Sequence, residues 1–207
     1  MERIFCILIG YAWGCFLTAA VVTRKTQHTS IFDVGSKNPG MANVAIEYGK
    51  KPAIYVFVGD ALKVIVACLI THWLFKDTYT WAQSSLWTGL GCTLGHNYPI
   101  WHHLKGGEGV MTSSTTILIA TPVAGAISLI VGAITCCVTQ FLNLGAVVIL
   151  VVYTLIMLVQ HNLEFALVGA LLAVLSYAAN RHSIKKIGTD EEEAEKFDVL
   201  GNLKKDK

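Results

Sequence analysis

The sequence predicts an all-α integral membrane protein, a seven-helix transmembrane bundle with its polar loops at the cytoplasmic face. Three observations carry that prediction. Hydrophobic residues make up 54% of the 207 and charged residues only 14%, with a mean hydropathy of +0.55. One domain of this length cannot hide so much apolar surface from water, so lipid is the expected solvent. The apolar residues are gathered into runs long enough to enter a hydrocarbon core of roughly 30 Å. The lysines and arginines collect between alternate runs.

The first run, ERIFCILIGYAWGCFLTAAVV at 2–22, reads as one continuous span. It has no small-residue cleavage site and more spans follow it, so an anchor is expected and not a signal peptide. Further runs cover 53–75, 86–101, 114–138, 144–160 and 163–179. The run from Ser114 is interrupted by Thr121-Pro122 and then Gly125. Proline removes a backbone donor and kinks or ends a helix, which makes this run two short helices.

A polar loop at 24–52 holds Arg24, Lys25, Lys37, Lys50 and Lys51, and Lys105 lies in a second loop within 94–112. A tail from residue 181 holds Arg181, Lys185, Lys186, Lys196, Lys204, Lys205 and Lys207. The positive-inside rule puts both loops and the tail on the cytoplasmic side. That arrangement needs an odd number of spans, and seven satisfies it. Residues 1–187 then form the membrane-embedded domain. Residues 188–207 form a charged cytoplasmic tail, expected as a frayed helix or a disordered segment.

Cys6, Cys15, Cys68, Cys92, Cys136 and Cys137 all lie in or beside apolar runs, with no C-x-x-C and no zinc-like spacing. They read as small hydrophobes. No metal site or cofactor is implied, and nothing points to a nucleic-acid partner. Asp60 and Lys63 lie inside the second span, three residues apart and so on one helix face. Such ionisable groups at membrane depth face a bundle interior or a polar cavity. Two readings stand: a structural pair near the helix end that satisfies itself, or a direct part of a ligand site.

The stretch LGHNYPIWHHLKGGEGVMT (94–112) sets Gly106, Gly107 and Gly109 between Lys105 and an apolar run, with Glu108 among them. It is neither a Walker A motif nor a dinucleotide fingerprint. It describes a flexible loop entering a helix, where backbone N–H groups make an anion site. In the first loop, IFDVGSKNPGMANV offers Ser36, Asn38 and Asn43 as hydrogen-bonding side chains and Lys37 as a charge, with Gly35 and Gly40 for turns. Two such loops on one predicted face suggest a site at the cytoplasmic interface. The pattern H-x-x-x-x-D occurs at His28/Asp33 and at His72/Asp77, and without a partner motif it carries no weight. No G-x-S-x-G or H-E-x-x-H occurs.

These residues resemble a known family. GSKNPGMANV (35–44) is similar to the GSGN-x-GATNV signature of the bacterial acyl-phosphate:glycerol-3-phosphate acyltransferases, the PlsY family. The stretch at 94–112 resembles that family's GH-x-x-P followed by F-K-GGKGVAT, and GDALK (59–63) resembles its D-x-L-K segment. LNLGAV (142–147) and RHSIKKI (181–187) match weaker features. The resemblance implies a seven-helix bundle in the bacterial cell membrane. It also implies transfer of a fatty acyl group from acyl phosphate to the 1-hydroxyl of glycerol 3-phosphate, the first step of phospholipid synthesis, with no cofactor. Acyl phosphate is already activated, so positioning and charge stabilisation supply the catalysis. By matching position, Ser36, His96 and Lys105 become the catalytic candidates. Lys37, Asn38, Gly40, Asn43, Gly106, Gly107, Glu108, Gly109 and Thr112 become candidates for holding substrate or phosphate.

The departures fall on charge. The family's GGKG lysine is Glu108, an arginine of its first motif is Ile46, and the aspartate and arginine before GSGN fall on Ser30 and Phe32. In its third motif the histidine falls on Asn180 and the asparagine on Ser183, with His182 displaced. Lys37, His102, His103 and Arg181 are nearby cations or potential cations. Three readings follow: an acyltransferase, a non-catalytic or repurposed member binding a lipid or phosphate ligand, and an unrelated small transporter with a glycine-rich re-entrant loop.

Overall fold

A computed structural model describes residues 1–187 and 189; the charged tail expected at 188–207 lies outside the described residues apart from Thr189. Among the described residues the chain is all α-helical: α1 (Glu2–Gly14), α2 (Thr18–Thr26), α3 (Met41–Tyr48), α4 (Lys50–Phe75), α5 (Trp81–Asn97), α6 (Val110–Ala120), α7 (Pro122–Thr139), α8 (Leu142–Val159) and α9 (Leu163–Lys186). Counting α1 and α2 as one broken segment and leaving α3 aside gives the expected seven. Five segments are long and apolar enough to cross a membrane, whereas α5 has 17 residues and α6 only 11. At 1.5 Å per residue, α6 rises about 16 Å, roughly half a hydrocarbon core.

Four boundaries differ from the sequence reading. The first span is not continuous: it breaks at Cys15–Phe16–Leu17, where Leu17 is extended. No proline marks this break. The first polar loop is partly helical, with a 3-10 turn at Ile31–Asp33 and α3, and Gly49 at φ +84° turns α3 into α4. The third span begins earlier, at Trp81, because Thr80 and Gln83 form a capping box that satisfies the first N–H groups of α5. RHSIKK, read as tail, continues α9 to Lys186. The break at Thr121-Pro122 is where proline chemistry put it, between α6 and α7.

The described chain falls into two compact units, divided between Thr121 and Pro122. In the first, α1 packs along α5 through two G-x-x-x-G faces. A Cβ on Gly10 or Gly14 would strike the Thr88 or Cys92 carbonyl of α5, and one on Gly91 or Gly95 would strike the Ile7 or Tyr11 carbonyl of α1. Lipid gives apolar helix faces no reason to leave it, so close backbone approach through small residues supplies the association. The short α6 is buried continuously from Thr112 to Ile117 against α4 and α5. Three of its hydroxyls are satisfied locally, Thr112 and Ser113 donating to Gly109 O and Thr116 to Thr112 O. The outer face of α4 carries Ile54, Phe57, Leu62, Leu69 and Trp73, all exposed, as a surface that meets lipid requires.

In the second unit α7 packs on α8 and α8 on α9. Gly132 and Gly145 bring α7 and α8 together, and Gly169 of α9 lies against Tyr153 of α8. All six cysteines are free, and only Cys137 is exposed.

Candidate active site

The site in the first unit is organised from a buried charge. Asp60 and Lys63, 2% and 3% exposed, pair at 2.9 Å near the middle of α4, not near its end. The pair is not closed on itself. Lys63 Nζ also lies 2.8 Å from His96 Nδ1 and donates to Phe16 O at 3.0 Å. An ammonium has three donors and no acceptor, so these three partners satisfy it fully. His96 Nδ1 must then accept, which leaves the imidazole proton on Nε2. Asp60 in turn accepts from Thr18 Oγ1 at 2.9 Å.

This hub explains the break in the first span. Phe16 O, released at the break, takes a donor from Lys63, and Thr18 in the first turn of α2 is held by Asp60. A helix interruption at membrane depth is tolerated where protein groups replace the lost backbone bonds. Here Asp60 and Lys63 each hold one side of it.

The glycine-rich loop is built on the other side of His96. His103 and Leu104 both take left-handed backbone, at φ +52° and +60°, a conformation that costs roughly 1–2 kcal/mol per non-glycine residue. Gly107 N–H then donates to His96 O at 3.0 Å. A Cβ on Gly107 would meet His96 Nε2, and one on Gly106 would meet His96 O and Pro99 Cδ. Gly109, at φ +73°, caps α6 above the Asn97 side chain. The close approach that these glycines permit is therefore to the end of α5. Past Gly109 the first N–H groups of α6 have no helical acceptor and no side-chain cap, which leaves the positive end of the helix dipole at the loop.

The first loop is organised by Asn43, which is buried. Its Nδ2 donates to Val34 O and Asn38 O, both at 3.1 Å, and its Oδ1 accepts from Ser36 N–H at 3.1 Å. All of its capacity in this loop is spent on shaping the turn. Gly35 at φ +55° and Lys37 at φ +61° make that turn possible, and Ser36 and Lys37 are exposed on it. Gly40 is the N-cap of α3. The Phe32 ring lies 5.0 Å from the His102 ring, which joins the first loop to the second.

Of the residues singled out by sequence, Asp60, Lys63, His96 and Gly107 form one contiguous cluster, and Ser36, Lys37, Asn38, Gly40 and Asn43 share one turn. Lys105 is exposed, Glu108 is half-buried and interacts with its surroundings, and Thr112 is buried with its hydroxyl donated to Gly109 O. Ile46, where the resembled family has arginine, is exposed on α3. Asn180, in the second unit, is buried and donates to Ser176 O. Ser183 is half-buried on α9. Sequence reasoning missed Thr18, the Phe16 carbonyl, and Asn97, whose buried amide has no partner on either atom among the described residues. Asn97 had one signal, its place beside His96 under the glycines.

A family model described as glycerol-3-phosphate acyltransferase matches residues 4–189. Glycerol-3-phosphate acyltransferase 1 of Lactobacillus acidophilus is 36% identical over 154 residues, covering 74% of this chain and 73% of that one. Its namesake in Lactobacillus johnsonii is 29% identical over 205 residues, covering 99% and 97%. The crystal structure of the integral membrane glycerol 3-phosphate acyltransferase PlsY, in its glycerol 3-phosphate form, superposes with a TM-score of 0.81 at 25% identity, over 98% of this chain and 99% of that one. The lysophosphatidic acid form of PlsY gives 0.80 at 23% identity, over the same shares. With a family model spanning nearly its whole length and an all-helical fold superposing end to end on PlsY, the chain belongs to the glycerol-3-phosphate acyltransferase family.

Proposed function

We propose that this chain is a multi-pass membrane acyltransferase that moves a fatty acyl group from acyl phosphate to the 1-hydroxyl of glycerol 3-phosphate. The hydroxyl oxygen attacks the acyl carbonyl carbon, the bond from that carbon to the phosphate oxygen breaks, and the hydroxyl proton leaves on the released phosphate. The products are lysophosphatidic acid and inorganic phosphate. The observation that carries this reading is the pairing of two hydrogen-bonded turns in one unit, joined by Phe32 and His102. Each is braced by a buried polar residue, the first by the Asn43 side chain and the second by the His96 carbonyl, with the His96 ring against Gly107.

Ser36, Lys37 and Lys105 are the exposed polar groups we assign to the substrates, with the N-terminus of α6 as a second source of positive potential for phosphate. His96 is too deeply enclosed, at 3% exposure, to touch substrate, and we assign it the role of positioning residue for the Gly107 loop. Both loops and the C-terminus lie at the cytoplasmic face of a bacterial cell membrane in this reading, as the basic residues favour.

The test is acyl transfer from palmitoyl phosphate to glycerol 3-phosphate by the purified protein. Transfer supports the proposal. Its absence, in an assay where a family member with an intact GGKG loop is active, overturns it. Glu108 and Ile46 favour one second reading, a family member that binds a lipid or phosphate ligand without turnover. Ligand binding without transfer would select it.

A further inference from the structure

Asp60 and Lys63 are neither a pair closed on itself nor a direct part of a ligand site. Both are buried, so no solute reaches them, yet their contacts run in one direction. Thr18 Oγ1 donates to Asp60 at 2.9 Å, Lys63 Nζ pairs with Asp60 at 2.9 Å, and the same ammonium donates to His96 Nδ1 at 2.8 Å. Asp60 stands farther from the ring, 4.0 Å from Nδ1. The pair is therefore a dipole with its positive end against the imidazole. On the opposite edge of the ring Nε2 carries the proton and lies against Gly107, where any Cβ would meet it. That N–H has no acceptor among the described residues. Gly107 leads through Gly109 into α6, whose first N–H groups have no side-chain cap. The loop thus receives positive potential from two sides, from the end of α6 and from an oriented N–H beneath it.

We propose that Asp60 and Lys63 are positioning residues for phosphate: acting through His96, they hold an N–H and not a nitrogen lone pair against the glycine-rich loop. This rests on the reading of that loop as a phosphate site. Neutral imidazole has two tautomers, and beneath an anion an N–H attracts where a lone pair repels. Lys63 has donors and no acceptor, so it excludes the proton from Nδ1 and fixes it on Nε2. Asp60 compensates the buried ammonium that does this. Because each bond in the chain points the same way, the charge pair also polarises the ring toward the loop. Neither residue touches substrate.

Two measurements test the assignment, and both read binding without turnover. In the first, protein labelled with nitrogen-15 histidine is studied by NMR in detergent micelles, the His96 signals being assigned by their loss in His96→Gln. A proton on Nε2, a bare Nδ1, and shifts of both nitrogens on adding glycerol 3-phosphate but not glycerol are expected. A proton on Nδ1, or no shift at concentrations that calorimetry shows to be saturating, overturns the proposal. In the second, calorimetry compares the wild type with Asp60→Leu/Lys63→Met, which replaces both partners with apolar groups. Glycerol 3-phosphate should bind about 2- to 5-fold more weakly, the effect of so short a dipole on a dianion roughly 7 Å beyond it at an effective dielectric of about 20. The His96 proton should then distribute over both nitrogens. Unchanged affinity in the folded variant makes the pair structural only and overturns the proposal; if the variant does not fold, the wild-type titration decides alone. No glycerol 3-phosphate binding by the wild type overturns the phosphate reading as well. Binding and shifts as expected, without acyl transfer, would count against the acyltransferase reading alone.

Discussion

Replacing Lys63 with methionine removes the ammonium and keeps most of the volume. In the structure that ammonium serves Asp60 at 2.9 Å, His96 at 2.8 Å and the Phe16 carbonyl at 3.0 Å. Its loss leaves the buried Asp60 carboxylate with the Thr18 hydroxyl at 2.9 Å and His96 Nδ1 at 4.0 Å. Breaking a buried pair from one side costs about 3–5 kcal/mol, whereas replacing both partners with apolar groups is often close to neutral. Lys63→Met alone should therefore lower the melting temperature by on the order of 10 °C. Lys63→Met with Asp60→Leu should recover most of that loss, short by about 1–2 kcal/mol for the polar groups left at the break. Five buried free cysteines make a thiol-reactive fluorophore a direct reporter of unfolding. If the single variant melts with the wild type, or the double variant melts no higher than the single, the hub is not held by charge compensation.

Gly107→Ala places a methyl on His96 Nε2 and should destabilise the protein by about 1–3 kcal/mol; adding His96→Ala should relieve the clash in the same melting assay, and additive losses would contradict it. Glu108→Lys restores the positive sign of the resembled GGKG loop and should raise glycerol 3-phosphate affinity about 5- to 150-fold, for a change of 1–3 kcal/mol; equal KM values for this acceptor in both proteins would remove Glu108 from the phosphate site. Cysteines introduced at Lys50 and Lys37 should resist an impermeant maleimide added outside intact cells and react after permeabilisation, and labelling from outside would invert the topology.

The helices were legible because their signals are local. Apolar runs of the right length, proline at 122 and the amide-and-glycine turns each declare themselves within a few residues. The break at Cys15–Leu17 was not legible, because its cause is 40 to 50 residues away in Asp60 and Lys63. A charge pair read on its own face of α4 looks self-sufficient, and only the structure brings Thr18 and the Phe16 carbonyl to it. The α1–α5 contact is an intermediate case. Gly10-x-x-x-Gly14 and Gly91-x-x-x-Gly95 are visible in sequence, but nothing local says that they face each other. The start of α5 at Trp81 was missed for a simpler reason, since a hydropathy run ignores the capping box formed by Thr80 and Gln83.

The glycine-rich loop divides the sequence signal into two parts that report on different things. A Cβ on Gly106, Gly107 or Gly109 would meet His96, Pro99 or Asn97, so these glycines are demanded by how the loop rests on α5. The fold requires them whether or not phosphate ever binds. Their agreement with the family signature therefore speaks for architecture, and the same holds for Asn43, whose hydrogen bonds in the turn are all internal. In the function we propose, catalytic competence falls to the groups left over: exposed Ser36, Lys37 and Lys105, and the N-terminal turn of α6. Of the positions where this chain departs from the family pattern, Ile46 is exposed on α3 and Glu108 lies in the second loop, and neither is among the groups that the three glycines rest on. A reversal of sign at Glu108 leaves the loop's support on His96 in place. Glu108→Lys therefore alters the field at the mouth of α6 together with Glu108's own interactions, and leaves the glycine contacts with His96 and Asn97 beneath the loop in place.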